Sequence, residues 1–185
     1  MSILVKSPLS INSELRYSIN TILLDFLGLQ WRYEVSEGDS ISIMLDSHSG
    51  EIRFPYVFFR KTSNGCQTPA SLPSQPLSHW DIQQLNFDIP LVEPVVPVIF
   101  GESQTVAKAT DNLIELPIDI FGSAFFMLSR YEEAVLKDRS DNDWFAVTAF
   151  LAYQENFLYR PISDEYVEIL WAAMQRLWPN LQRKP

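Results

Sequence analysis

Residues 116–133, with the sequence LPIDIFGSAFFMLSRYEE, carry the clearest folding signal in the chain. Pro117 and Asp119 are typical of a helix start, and apolar side chains after them repeat at helical spacing as far as Val135. A dense charged patch at 130–133 lies near the end of this stripe. We therefore predict a core helix with a charged docking end, rather than the wall of a reactive pocket.

The sequence before this stretch predicts one helix and several strands. Apolar residues from Leu15 to Leu27 fall at helical spacing. Ser10 or Asn12 can cap the start of this helix, and Gly28 suits a left-handed stop. Strand-like pieces, separated by turns rich in Gly, Asp and Ser, occur at 2–6, 29–35, 40–45 and 51–59. We expect the helix to lie on an antiparallel meander.

The middle of the chain predicts a long connection rather than a flexible linker. Six of the twelve prolines lie between Pro69 and Pro97, yet the segment also contains Trp80, Leu85 and Phe87. We expect these large side chains to hold the connection against the body of the protein. It should lead into a buried strand at Val95–Phe100.

The C-terminal part predicts a third helix at 163–178, with Ser163 as its cap. Residues 144–161 predict strand or turn. The apolar stripe of the helix is Val167, Leu170, Trp171, Met174 and Leu177. Together these patterns predict an α+β fold over residues 1–185 as one domain. Its single mixed sheet should have about five or six strands, with three principal helices packed on it.

Charge and composition narrow the possible partners. The formal net charge is -9, and binding to nucleic acid or anionic membranes rests on Lys and Arg, so both partners are disfavoured. No signal sequence is visible, and no apolar run approaches the roughly 18 residues of a membrane span. The single cysteine, Cys66, excludes an internal disulfide and is interpreted as an incidental thiol. We expect a cytoplasmic protein.

Familiar catalytic and cofactor motifs are absent from the sequence. Metal sites need several converging His, Cys or carboxylate ligands, yet the histidines are only His48 and His79, far apart in the chain. There is no nucleophile elbow of the Gly-x-Ser-x-Gly kind and no glycine-rich phosphate loop. We therefore expect no catalytic residue, no metal and no cofactor.

Two charged clusters, SRYEE at 129–133 and YRPISDEY at 159–166, are the candidate sites. Adjacent glutamates on a helix point in different directions, which is poor geometry for an acid–base pair. A simpler hypothesis is that Arg130 and Arg160 bind carboxylates and helix ends, and so tie the two late helices together. A binding surface is the alternative. The residues concerned are Arg130, Tyr131, Glu132, Arg160, Asp164 and Glu165.

The stretch at 116–133, followed by FLYRPISDEYVEILWAAMQRLWP at 157–179, resembles a known domain of uncharacterised function. That domain precedes the catalytic domain in bacterial proteins of the polysaccharide deacetylase family. PVIFG at 97–101 fits the resemblance, whereas residues 1–90 match it only in layout. The catalytic Asp and His motifs of that family are missing here, so esterase activity is not carried over. The chain is then either the N-terminal portion of a longer deacetylase or a stand-alone relative.

The resemblance implies a non-catalytic accessory domain that packs against a polysaccharide deacetylase domain or positions a glycan substrate for it. An independent carbohydrate-binding module is the alternative, because five tryptophans and seven tyrosines could stack on sugars. Exposed Trp80 or Trp144 would favour binding, and buried ones would favour a scaffold. A third hypothesis is a small hydrolase that uses the Glu132 region.

Overall fold

The computed structural model describes residues 2–63, 65, 67–87, 89–102, 107–136 and 146–183, and its fold is mixed α+β, as predicted. The strands of this part of the chain are β1 (Ile3–Ser7), β2 (Trp31–Val35), β3 (Ser40–Leu45), β4 (Glu51–Pro55), β5 (Ser78–Asp81), β6 (Val95–Val98), β7 (Lys108–Ala109) and β8 (Leu113–Glu115). Its α-helices are α1 (Ser13–Ile19), α2 (Phe58–Ser63), α3 (Ile120–Leu128), α4 (Tyr131–Val135), α5 (Leu151–Gln154) and α6 (Ile162–Leu177).

The main sheet has six strands in the order β2-β1-β3-β4-β8-β7, and β5 and β6 form a separate antiparallel pair. β1 lies between β2 and β3, parallel to β2 and antiparallel to β3, so the predicted meander is wrong at β2, whereas β3 and β4 pair antiparallel as predicted. Burial explains this order. Ile3 and Val5 of β1 are buried and suit a central strand, whereas the exposed Arg32 and Glu34 of β2 suit an edge.

The two faces of the main sheet differ in chemistry. Ile41, Ile43 and Leu45 alternate along β3 and are buried. Helix α3 packs on this face, where the Phe121 ring meets the Phe54 ring edge-to-face at 5.3 Å, and α1 and α6 contact α3. The opposite face carries ion pairs between neighbouring strands, which are Lys6–Glu34, Arg53–Glu115 and Lys108–Glu115, and Arg32 of β2 pairs with Asp46 just after β3. The core therefore lies on the helix side.

The N-terminal helix follows its prediction closely. The Asn12 side chain accepts a hydrogen bond from Leu15 N at 2.8 Å and caps α1. The helix continues as a π-helix over Asn20–Phe26, and Gly28 then takes a left-handed conformation with φ at 65°. Phe26, predicted in the apolar stripe, is instead 44% exposed.

The helix predicted to continue to Val135 is two helices. α3 ends at Leu128, and Arg130 adopts a left-handed backbone conformation with φ at 53° before α4 begins. The strand or turn predicted at 144–161 contains, within the described residues, a 3₁₀ turn at Val147–Ala149 and helix α5.

The middle connection is held as predicted, since Trp80 and Leu85 are buried and Phe87 packs partly against the core. Its strand is β6, which is shorter than the predicted Val95–Phe100. At the C-terminal helix, Ser163 does not act as the cap. Pro161 precedes α6 and no side chain caps this helix.

The carboxylate of Asp119, which is fully buried, joins two helices. Its Oδ2 accepts hydrogen bonds from Val57 N and Phe58 N at the start of α2, both at 2.8 Å, and its Oδ1 accepts from Gly122 N in α3 at 2.9 Å. The Asp119 N–H donates to Phe100 O at 2.8 Å. Burial raises the pKa of Asp119 to about 6, and the three N–H donors oppose that rise. We call these five residues the Asp119 hub.

Asp119→Asn should lower the free energy of unfolding by about 1–3 kcal/mol. The amide NH₂ group cannot accept a hydrogen bond, so at least one buried N–H of the hub loses its partner. Urea unfolding of the variant measures this loss. Asp25→Asn is the control, because Asp25 is exposed. Equal losses in both variants would contradict the role given to Asp119.

The predicted stripe of α6 is only partly its core face. Val167, Leu170 and Met174 are buried, whereas Trp171 and Leu177 are only partly buried. The guanidinium of Arg183 lies 4.6 Å from the centre of the Trp171 ring. Trp171 therefore packs at the edge of the core, whereas the predicted stripe places it within the core.

Leu170→Ala should destabilise the protein by about 2–5 kcal/mol, because it removes a fully buried side chain from a packed core. Leu177→Ala deletes the same atoms from a partly buried position of the same helix, and we expect a clearly smaller loss. Thermal and urea unfolding of the two variants compare them. If Leu177→Ala were the more destabilising, the core face assigned to α6 would be wrong.

Candidate functional site

The structure divides the six predicted site residues between two regions. One region is the junction of α3 and α4 at 130–132, and the other is the start of α6 at 160–165. Arg130 is largely exposed and pairs with Glu133 of the adjoining helix α4. Its guanidinium also lies 5.8 Å from the centre of the Phe150 ring. Arg130 therefore connects α4 to the segment before α5.

Tyr131 is a core residue. Its ring meets the Phe58 ring edge-to-face at 5.0 Å, and only 6% of the residue is exposed. The hydroxyl oxygen accepts a hydrogen bond from Gln67 N at 2.6 Å and lies 3.1 Å from Ser71 Oγ. The side chain thus anchors the proline-rich connection to α4.

Glu132 is a buried helix cap. Its Oε2 accepts a hydrogen bond from Leu151 N, the first residue of α5, at 2.8 Å. Burial raises the pKa of Glu132, and the bond from Leu151 opposes that rise. The adjoining cavity has a volume of about 70 Å³ and is lined mainly by Leu72, Pro73, Phe126, Leu136 and Leu151. This space suits a few water molecules rather than a substrate, and the geometry favours a structural role.

Arg160 is held by hydrogen bonds around its whole guanidinium group. Nε donates to both carboxylate oxygens of Glu165 at 2.9 Å. One terminal nitrogen donates to Val95 O at 2.8 Å, and the other donates to Glu93 O at 2.9 Å. The Glu93 carboxylate pairs with Arg160 at 3.2 Å. Arg160 therefore joins α6 to the start of β6, whereas the sequence predicted a tie between the two late helices.

The two acidic residues of the second region differ sharply. Glu165 is 4% exposed, and its Oε1 also accepts from Val92 N at 3.3 Å. Asp164 is exposed in the first turn of α6 and makes no hydrogen bond or ion pair with the residues that the structure describes. Asp164 can still interact with the positive end of the helix dipole, but it does not link elements.

An open cleft of about 320 Å³ lies beside Arg160 and is called the Arg160 cleft. It is formed where the segment before and within β6 faces the turn that precedes α6. Its lining combines apolar and polar side chains. The lining residues are His79, Val92, Glu93, Val95, Pro97, Glu155, Asn156, Phe157, Tyr159 and Arg160.

Tyr159 is the most exposed large side chain at the Arg160 cleft, with 98% of the residue exposed. Its backbone is nevertheless held in a turn. Arg160 N donates to Phe157 O and Ile162 N donates to Arg160 O, both at 2.9 Å. The neighbouring Arg160 side chain is fixed, and Phe157 is buried. An aromatic ring thus projects into solvent from a rigid base.

Two carboxylates give the Arg160 cleft a negative character. The Glu93 side chain is 67% exposed. Glu155 accepts hydrogen bonds from Leu77 N and from the side-chain amide of Gln75, both at 3.2 Å. These donors are neutral, so they satisfy the Glu155 oxygens without cancelling their charge. Arg160 also lines the cleft, but its positive charge is already paired with the buried carboxylate of Glu165.

Several of these residues were not predicted from the sequence. Tyr159 lies within the second charged cluster but carries no signal of exposure, and Glu93 and Glu155 are far from it in the chain. His79 is exposed, as expected of a surface histidine, and it lines the Arg160 cleft. Trp80 is buried and so favours a scaffold. Trp144 and Cys66 lie outside the described residues.

The described part of the chain has neither a cluster of metal ligands nor a helix that could span a membrane. No three or more of its His, Cys, Asp and Glu side chains are grouped so that they could hold a metal ion. Within the same residues, every helix is too short or too polar to cross a membrane.

A protein-family model matches residues 3–179, and its description is a family of unknown function, DUF7033. The chain belongs to this family. The DUF7033 match includes the Asp119 hub and the Arg160 cleft, but its description names no activity and gives no link to polysaccharide deacetylases. No curated protein and no solved structure matches the chain. The predicted domain of uncharacterised function is therefore confirmed, and the association with a deacetylase stays a prediction.

Arg160→Ala should lower the unfolding free energy of this DUF7033 chain by about 3 kcal/mol, because it leaves the Glu165 carboxylate buried without its cation. Asp164→Asn is the control, because Asp164 lies next to Glu165 in the first turn of α6. Its effect should stay within about 0.5 kcal/mol, because Asp164 is exposed. Urea unfolding measures both. A loss of similar size in the two variants would show that the bonds of Arg160 do not stabilise the fold.

Proposed function

We propose that the chain is a non-catalytic accessory domain of a polysaccharide deacetylase, and that it holds a glycan chain at the Arg160 cleft. The observation that carries this proposal is Tyr159, whose aromatic ring is 98% exposed on a rigid turn beside a cleft of about 320 Å³. Tyrosine has an apolar ring and a polar hydroxyl, so it suits a ligand with both kinds of surface. The C–H face of a sugar ring and its hydroxyl groups are such a ligand.

The polar groups beside Tyr159 match the hydroxyl groups of a glycan. Glu93 and Glu155 supply carboxylate acceptors, and Asn156 supplies both an acceptor and donors. Because Arg160 is fixed by its own hydrogen bonds, binding would not need to order this part of the cleft. A few placed polar groups on an apolar wall are typical of small-ligand sites.

The two carboxyl groups with raised pKa values, Asp119 and Glu132, have structural roles, and this supports binding over catalysis. Asp119 caps α2 and α3, and Glu132 caps α5, so both carboxylates are committed to backbone N–H groups. Neither lines the Arg160 cleft. The accessory role itself rests on the resemblance at 116–133 and 157–179.

An independent carbohydrate-binding module is the second candidate. It rests on the same exposed ring of Tyr159, which could stack on a sugar without a second domain. The two candidates differ in their partner. An accessory domain should associate with a separately expressed deacetylase domain in a pull-down, whereas an independent module should bind the glycan without such association.

Tyr159→Ala should weaken the binding of chitin or cellulose oligomers by about tenfold, because it removes the stacking surface. Tyr153→Ala is the control, since Tyr153 is 49% exposed and lies outside the cleft lining. Isothermal titration calorimetry measures affinity. With Zn²⁺ or Co²⁺ present, the chain should release no acetate from acetylated oligomers.

Two results would overturn this proposal. One is the absence of both glycan binding and deacetylase association in a sample that melts cooperatively. The other is acetate release that survives repurification and is lost when the metal is removed.

A further inference from the structure

We infer that the Arg160 cleft selects amino sugars that carry a free ammonium group over the same sugars in N-acetylated form. The ligand class is thus a partly or fully de-N-acetylated glycan, which is the kind of product that a deacetylase releases. This inference rests on the proposed function and adds to it the charge of the preferred sugar. Three features of the cleft carry it.

The first feature is the balance of charge. Arg160 and Glu165 pair at 2.8 Å, so the buried carboxylate of Glu165 neutralises the positive charge of Arg160. Glu93 and Glu155 remain as two further carboxylates in the lining. With histidine counted as neutral, the formal net charge of the chain is also -9. The carboxylates of the cleft and the net charge of the whole chain therefore both favour the binding of a cationic ligand.

The second feature is the accessibility of these carboxylates. The Glu93 side chain is 67% exposed and only one of its oxygens, Oε2, contacts Arg160. Glu155 is bonded to neutral donors, as described above. An ammonium group can therefore approach Glu93 without displacing Arg160 from Glu165, and Glu155 adds a second negative charge to the cleft lining.

The third feature is Tyr159, because the face of an aromatic ring attracts cations as well as C–H groups. A glucosamine unit stacked there would place its ammonium group near a negative ring face and two carboxylates. An acetamide group is neutral and bulkier, so it gains little from these charges. Exposed ion pairs are individually weak, and two of them give a preference of about tenfold.

The test uses the full chain and isothermal titration calorimetry at low ionic strength in mildly acidic buffer. The probes are a glucosamine tetramer, an N-acetylglucosamine tetramer and trilysine. We expect the glucosamine tetramer to bind about tenfold more tightly than the acetylated one, and added salt to reduce this preference. Trilysine should bind weakly, because it offers ammonium groups without a sugar ring.

The double variant Glu93→Gln, Glu155→Gln should lose the preference, so that it binds the two tetramers with equal affinity. Glutamine keeps an acceptor for Leu77 N, so the fold should survive, and thermal melting checks this. The double variant Glu37→Gln, Asp39→Asn is the control for total charge, because it also removes two negative charges, and both residues are exposed and lie outside the cleft lining. It should retain the preference.

The possible failures are distinguishable. Equal affinity for both tetramers, or tighter binding of the acetylated one, overturns the charge selection and leaves the proposed function standing. Trilysine binding as tight as the glucosamine tetramer shows a site for basic peptides and overturns the amino-sugar assignment. If neither tetramer binds to the folded chain, the glycan-binding function fails, and this inference fails with it.

Discussion

The fold depends on the carboxylate of Asp119, which is buried away from water and accepts hydrogen bonds from three backbone N–H groups. Burying a carboxylate without partners is strongly unfavourable, so Asp119 is stable only where Val57, Phe58 and Gly122 converge on it. There is no spare room in the Asp119 hub. A Cβ atom on Gly122 would lie 2.4 Å from Asp119 Oδ2 and 2.5 Å from Phe58 Cβ. The chain can therefore bring α2 and α3 together only with glycine at this position.

The same constraint extends to the Arg160 cleft. Phe100, which accepts the hydrogen bond from Asp119 N, lies just after the end of β6. Tyr166 of α6 is hydrogen-bonded to the end of β6 and to the residue that follows it. The Tyr166 hydroxyl donates to Pro97 O and accepts from Ile99 N at 3.3 Å. Arg160 adds a second link from α6 to the start of β6. The cleft thus lies on two elements that are held to the core independently of any ligand.

What the sequence predicts well is what neighbouring residues decide. The Asn12 cap, the Gly28 stop and the alternating burial of β3 depend on short spacings, and all three are present. The place of β1 depends instead on which distant strand competes for the centre of the sheet. The left-handed Arg130 was missed because non-glycine residues rarely adopt that conformation.

The same distinction applies to the candidate site, where residues close in the sequence were predicted together and distant ones were not. Arg160 and Glu165 are five positions apart and were predicted together. Glu93 meets Arg160 across 67 positions, and Glu155 meets Leu77 across 78, so no local pattern could have joined them. Burial was also invisible in the sequence. It separates Glu165, which is part of the framework, from Asp164, which is exposed.

The Asp119 hub and several other contacts join residues that are far apart in the chain, and this has a consequence for the rate of folding. Asp119 reaches Val57 across 62 positions, Ser18 reaches Phe121 across 103, and the indole of Trp178 reaches Ser49 O across 129. Each such contact closes a long loop, and chains rich in non-local contacts fold slowly. During synthesis on a ribosome, the nascent chain must wait for its last helix before these contacts can all close. Until then the apolar surface of α3 that α6 covers stays exposed, and this is the interval in which the protein is most open to aggregation.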